Sequence, residues 1–94
     1  MLRRVIEHPQ FAHEKYQLHS DAKLVDDLLR DVVIFPLSRQ PEIGNPTAAS
    51  AVWAFVVHFG PYREYVVYYA FNDEAVTLLG IRKARNDVED FYGA

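Results

Sequence analysis

Apolar positions recur at helical spacing in the first part of the chain and in short dense blocks in the second part. In the stretch 21–35, charged residues occupy the positions between the apolar ones, which predicts an amphipathic helix. Ser20 or Asp21 is suited to be its N-cap. Because Pro36 disfavours a helical conformation in the residue before it, we expect the helix to end within 34–39. The apolar positions are Leu24, Val25, Leu28, Leu29 and Val32.

A strand and a shorter helix are predicted before this segment. Arg3 to Glu7 contains β-branched residues and is followed by Pro9, which ends a strand. Proline is also favoured at the first position of a helix. The mixed spacing of the apolar residues that follow predicts a helix over about 9–18.

Three apolar blocks follow a proline- and glycine-containing loop over Ser38 to Ser50. Gly60-Pro61 and Asn72-Asp73 separate the blocks as turn signals, so an antiparallel meander is predicted. Residues 86–92 are expected to form a short helix or a tail. The predicted fold class is therefore α+β, with an N-terminal strand and two helices packed on an antiparallel β-sheet. The blocks are Ala51 to Phe59, Arg63 to Phe71 and Ala75 to Ile81.

Composition narrows the class of protein. The 94 residues are enough for one domain, 1–94, and half of them are hydrophobic. The absence of cysteine excludes a disulfide scaffold, a thiolate zinc site and a cysteine nucleophile, and it favours a cytoplasmic location. The longest apolar runs, Val32 to Leu37 and Val52 to Val57, fall far short of the roughly 20 residues that cross a membrane. No membrane association is expected.

The charges are unevenly placed along the chain. The formal net charge of −3 argues against binding nucleic acid over a wide surface. Arg82, Lys83 and Arg85, however, form a compact basic cluster with no acidic residue until Asp87. Any contact with nucleic acid is therefore expected to be local and to involve this cluster.

Several segments of the sequence resemble the RelE/ParE toxin superfamily of type II toxin–antitoxin systems. Val5 to Phe11 is similar to the opening strand and helix entry of RelE-like toxins, and Leu37 to Gly44 is similar to the loop that precedes their sheet. The resemblance is strongest in the segment Tyr65 to Asp87. This segment is similar to the third strand, hairpin turn, last strand and basic exit segment of the family. The resemblance spans nearly the whole chain.

The resemblance implies a choice of activities. RelE-like members are endoribonucleases (mRNA interferases) that cleave messenger RNA in the ribosome without a metal ion, whereas ParE-like members inhibit DNA gyrase. A degenerate relative that keeps the fold as an interaction module is a third alternative. In the first two cases the resemblance implies a cognate antitoxin as partner, and it leaves a homodimer open. No cofactor is implied.

The resemblance also assigns candidate catalytic residues. Arg82 and Arg85 match the basic positions at the end of the family's last strand, where a guanidinium can grip phosphate in a bidentate way. Lys83 falls where ParE-like sequences often have histidine. Tyr92 falls near a C-terminal tyrosine of some RelE-like nucleases, where it can stack on a base or assist proton transfer. The structural alternatives are a solvated basic strand end and an aromatic anchor for the tail.

One position departs from the nuclease pattern. RelE-like nucleases usually show Tyr-Arg on the third strand, where this chain has Tyr65-Val66. Arg63 is nearby, but strand alternation places it on the opposite face from Val66. Arg63 and His58 remain candidates for substrate binding, His58 because an imidazole side chain can serve as an acid or a base.

The remaining histidines do not predict a metal site. Their spacings do not place them on one face of a helix, so no metal ion is expected. These residues are His8, His13 and His19.

Overall fold

The structure is a computed structural model of the chain, and it describes residues 2–18, 20–58 and 64–84. A first strand is followed by helical segments and then by the strands of a sheet. The elements are β1 (Arg4–Glu7), α1 (Pro9–Lys15), α2 (Ala22–Leu29), a π-helical segment (Arg30–Ile34), α3 (Phe35–Arg39), a 3-10 turn (Pro41–Ile43), β2 (Asn45–Pro46), β3 (Trp53–His58), β4 (Glu64–Phe71) and β5 (Ala75–Lys83). The prediction of an α+β fold is confirmed at this level.

The sheet is mixed rather than antiparallel throughout, and this corrects the sequence prediction. Its five strands lie in the order β1-β5-β4-β3-β2. The predicted meander of β3, β4 and β5 is antiparallel, but β1 pairs with β5 in parallel, with Arg4 opposite Ala75. The helical segments cross the sheet from β1 at one edge to β2 and β3 at the other side, and the antiparallel β3–β4–β5 meander then returns the chain so that β5 lies beside β1 and runs in the same direction. The short strand β2 lies within the predicted loop and extends the other edge.

The predicted second helix is a continuous helical segment with a change of pitch. Asp21 is its N-cap, because its side chain accepts a hydrogen bond from the Leu24 amide at 3.1 Å. The π-helical segment follows α2 directly, and α3 begins at Phe35 with Pro36 in its first turn. Because the segment is continuous, Pro36 removes one backbone donor from the hydrogen-bond ladder, and it does so directly after the π-helical segment, where the pitch changes. The helical segment continues to Arg39, within the predicted range.

The core lies between these helices and one face of the sheet, which we call the inner face. Helical residues from α1, α2, the π-helical segment and α3 meet residues of β3, β4 and β5 there. The register places Val57 opposite Tyr65 and Val67 opposite Ile81, so these side chains share the inner face. The fully buried core members are Phe11, Val33, Leu37, Val67, Tyr69, Val76 and Leu78.

A β-bulge in β5 decides which residues reach the inner face. Tyr68 pairs with Gly80 and Tyr69 pairs with Leu78, so Leu79 is the extra residue. The bulge allows Leu78 and Ile81 to be buried together at 0% and 2% exposure, although they are three positions apart. Beyond the bulge, even-numbered residues of β5 lie on the opposite face of the sheet, which we call the outer face.

Tyr69 joins the sheet to the loop that precedes it. Its ring is fully buried, and its hydroxyl donates to the Pro41 carbonyl and accepts from the Gly44 amide at 3.2 Å. A Cβ on Gly44 would overlap both the Tyr69 hydroxyl and the Ala54 carbonyl, so only glycine fits this approach. Burial raises the pKa of Tyr69, which keeps the hydroxyl protonated and able to donate.

Among residues 2–18, 20–58 and 64–84, no helix is both long and apolar enough to cross a membrane.

Candidate functional site

The basic residues at the end of β5 lie on two different faces of the sheet. Arg82 is opposite Val66 in the register, whereas Lys83 is opposite Tyr65. Because side chains alternate along a strand, Arg82 belongs to the outer face and Lys83 to the inner one. The sequence grouped these two cations as one catalytic cluster, but the structure separates them.

Glu14 of α1 holds the Arg82 side chain. Arg82 Nε donates to Glu14 Oε2 at 3.2 Å, and the backbone amide of Ile81 donates to Glu14 Oε1 at 3.0 Å. The last backbone bond joining β5 to the β1 side runs from the His8 amide to the Leu78 carbonyl. This part of the β5 edge lies beyond the end of β1. Glu14 therefore supplies the acceptor for the Ile81 amide, which would otherwise cost free energy to bury without a partner.

Gly80 makes room for this carboxylate. A Cβ at that position would stand 2.8 Å from Glu14 Oε1 and 3.9 Å from Tyr68 Cδ2. A glycine inside a strand often marks the close approach of another group. Gly80 is thus a sequence signal for the close approach of another group beside Arg82, although it does not identify Glu14 as that group.

Tyr68 completes a small polar cluster on the outer face, which we call the Arg82 cluster and which comprises Glu14, Tyr68 and Arg82. Tyr68 pairs with Gly80 across β4 and β5. Burial raises the pKa of Tyr68; the positive charge of Arg82 acts in the opposite direction and the negative charge of Glu14 acts in the same direction. The phenol therefore stays protonated at neutral pH and is able to donate a proton or a hydrogen bond.

The exposure of the two charged groups differs. The Arg82 side chain is 59% exposed, whereas the Glu14 side chain is 17% exposed. Among the described residues, the guanidinium hydrogen-bonds only through Nε. The cluster can therefore present the terminal nitrogens of Arg82 to an anion, while the Glu14 carboxylate is the less exposed of the two groups.

His58 lies on the same face and near the same end of the sheet. Val56 is opposite Val66, which is opposite Arg82, and His58 follows Val56 by two residues on the outer face. Its side chain is 67% exposed, and Nδ1 lies 4.0 Å from Glu64 Oε1. The intervening strand β4 separates His58 from Arg82. Three other predicted site residues, Arg63, Arg85 and Tyr92, lie outside the described residues.

A second charged cluster, centred on Lys15, was not found from the sequence. Lys15 is 7% exposed, and its Nζ lies 2.9 Å from both Glu7 Oε2 and Asp26 Oδ1. Desolvation alone would lower the pKa of Lys15, but hydrogen bonds with Asp26 and Glu7 outweigh it and raise the pKa. The same ammonium group holds the pKa of Asp26 below its ordinary value. This cluster joins β1, α1 and α2, and a protonated lysine is a poor nucleophile.

Within 2–18, 20–58 and 64–84, no group of three or more histidine, aspartate or glutamate side chains is placed to hold a metal ion.

The comparisons with known proteins give no family. No protein-family model matches the sequence, and no curated protein matches it. The fold and the two charged clusters thus define an α+β domain with a five-stranded mixed sheet and a cationic site at the end of its last strand.

Proposed function

We propose that this chain is the toxin of a type II toxin–antitoxin pair and cleaves messenger RNA without a metal ion. The observation that carries the proposal is the exposed Arg82 guanidinium at the end of the last strand, held by Glu14 and accompanied by the protonated Tyr68. The order of elements, a strand, two helical segments and a meander ending in a basic strand, agrees with the resemblance to RelE-like toxins.

The chemistry of RNA cleavage suits this arrangement. The 2′-hydroxyl loses its proton to a water molecule and attacks the neighbouring phosphate, so that a 2′,3′-cyclic phosphate forms as the bond from phosphorus to the 5′-oxygen breaks. The attack places extra negative charge on the phosphoryl oxygens, and a fixed guanidinium stabilises that charge. The leaving 5′-oxygen requires a proton, which the phenol of Tyr68 is able to donate. The Arg82 cluster thus supplies a cation and an acid without any metal.

An exposed apolar stripe on the helical segments supports the proposed antitoxin partner. The stripe is formed by Leu24 and Leu28, which lie one turn apart on α2 and are 43% and 39% exposed. Apolar side chains in helical register are the anchors that a partner helix or strand covers. The proposed antitoxin would bind this stripe.

Replacing Arg82 tests the proposal. We expect induced wild-type protein to arrest bacterial growth and to generate cut transcripts, which primer extension maps, and we expect Arg82→Ala to reduce cleavage by about 100-fold. Arg30→Ala is a matched control, because Arg30 is 66% exposed and pairs with Asp27 at 2.8 Å on α2. Intact transcripts during wild-type arrest, or equal loss in both variants, would contradict the proposal.

A non-enzymatic inhibitor of DNA gyrase is the second candidate, and one observation favours it. The residue opposite Arg82 on β4 is Val66, which is only 6% exposed. Because valine carries no charge, this position supplies no second cation beside Arg82. A single arginine that is partly neutralised by Glu14 stabilises negative charge on a phosphate less than two arginines would. Growth arrest with intact messages and loss of plasmid supercoiling would support this candidate in place of the nuclease.

A further inference from the structure

We propose that Glu14 is a positioning residue that orients Arg82 towards the phosphate of the RNA substrate. This inference rests on the proposed nuclease function and concerns a residue of α1, far from Arg82 in the sequence. Glu14 does not itself contact the substrate in this proposal. Glu14 acts through the Arg82 guanidinium. Its effect on the rate of cleavage can therefore be separated from the effect of its negative charge on RNA binding.

The geometry of the carboxylate is fixed from several sides. Its Oε1 accepts from the Ile81 amide at 3.0 Å, and its Oε2 accepts from Arg82 Nε at 3.2 Å and from Gln10 Nε2 at 3.4 Å. A backbone donor on a paired strand is a rigid anchor. The carboxylate therefore transmits the position of the strand to the guanidinium, which would otherwise rotate about its long flexible stem.

The bond to Nε determines which atoms remain for the substrate. Nε is the nitrogen nearest the aliphatic stem, and occupying it leaves the two terminal nitrogens, which can together bind two oxygens of one phosphate. Glu14 is also the more buried partner, at 17% exposure against 59% for Arg82. The negative charge is thus less accessible to the RNA than the guanidinium.

Two physical effects of Glu14 on RNA oppose each other. Its negative charge weakens binding of a polyanion, whereas its hold on Arg82 favours the reactive geometry. Glu14→Gln separates them. The glutamine carbonyl can still accept from the Ile81 amide, but the glutamine lacks the charge, and its amino group would face Arg82 Nε, which is also a donor.

The experiment measures kcat and KM on a 5′-labelled messenger RNA fragment, both free and bound to bacterial ribosomes, using whichever form the wild-type protein cleaves. For Glu14→Gln we expect kcat to fall by about 10- to 100-fold while KM is unchanged or lower. Asp27→Asn is the control, because it removes the carboxylate of the exposed Arg30–Asp27 pair and leaves the Arg82 cluster intact. We expect this control to cleave as the wild type does.

A mutant cycle with Arg82→Ala makes the test independent of any general loss of folding. If Glu14 acts through Arg82, adding Glu14→Gln to Arg82→Ala causes no further loss of kcat. An unchanged kcat in Glu14→Gln, or an equal fall in both backgrounds, would overturn the positioning role alone. Wild-type protein that cleaves neither RNA would overturn the proposed function and this inference together.

Discussion

Replacing Lys15 by methionine tests whether the buried ion cluster stabilises the fold. Methionine has a similar unbranched stem, so the apolar packing of the side chain is largely preserved. The ammonium group is lost, however, and the carboxylates of Glu7 and Asp26 lose the partner that lies 2.9 Å from each. The change in the free energy of unfolding therefore reports the loss of the ion pairs rather than a loss of side-chain volume.

The magnitude follows from burial. Removing one partner of a fully buried ion pair costs about 3–5 kcal/mol, because the remaining charge is left uncompensated. Here the side chains of Glu7 and Asp26 are 28% and 43% exposed, so water compensates part of the loss. We expect the free energy of unfolding to fall by about 2 kcal/mol, which lowers the melting temperature by about 10 °C in a domain of this size.

The stabilisation by the Lys15 cluster depends on pH, and the shifted pKa values of Asp26 and Lys15 determine the direction. The lowered pKa of Asp26 contributes stability above its ordinary value of 3.8, and this stability is lost as the pH falls through the folded pKa. The raised pKa of Lys15 contributes stability throughout the range below its ordinary value of 10.5 and loses it only at higher pH. The difference between wild type and Lys15→Met should therefore be largest near neutrality and shrink in acid.

Urea unfolding, followed by circular dichroism near neutral pH and at about pH 3, provides the measurement. Lys23→Met is the control, since Lys23 is an exposed lysine on α2. If Lys15→Met is as stable as Lys23→Met, or if its deficit is the same at both pH values, the account of the cluster is wrong.

The remaining predictions concern Tyr69 and the loop that it holds. Tyr69→Phe removes both hydrogen bonds of the hydroxyl and leaves the Pro41 carbonyl and the Gly44 amide without this partner, so urea unfolding should show a loss of about 1–3 kcal/mol. Gly44→Ala should lower the melting temperature, because the new Cβ overlaps the Tyr69 hydroxyl and the Ala54 carbonyl; unchanged stability would contradict that packing. Since burial raises the pKa of Tyr69, alkaline titration by ultraviolet absorbance should lose a late-titrating phenol in Tyr69→Phe.

Local patterns in the sequence located most elements of the fold. The predicted strand Ala51 to Phe59 is observed as Trp53–His58, Arg63 to Phe71 as Glu64–Phe71, and Ala75 to Ile81 as Ala75–Lys83. Helical and strand periods are properties of neighbouring residues, so they are visible without knowledge of the partner. The predicted helix over about 9–18 ends earlier, at Lys15.

Long-range relations were not accessible in the same way. The parallel pairing of β1 with β5 and the contact of Glu14 with Arg82 join residues from opposite ends of the sequence, and no local period encodes them. The bulge at Leu79 was also missed, although it decides the face on which Arg82 lies. Without it, simple alternation would have placed Arg82 on the same face as the buried Leu78.

The position of β1 has a consequence for how the protein is synthesised. Translation releases the β1 residues before those of the other described strands, but their strand partner β5 is made after all of these strands. A growing chain therefore keeps the β1 strand unpaired until β5 has left the ribosome, because long-range strand pairing waits for both members. In the proposed toxin, the same late strand carries Arg82, so the completed sheet and the cationic site would form together once β5 has left the ribosome.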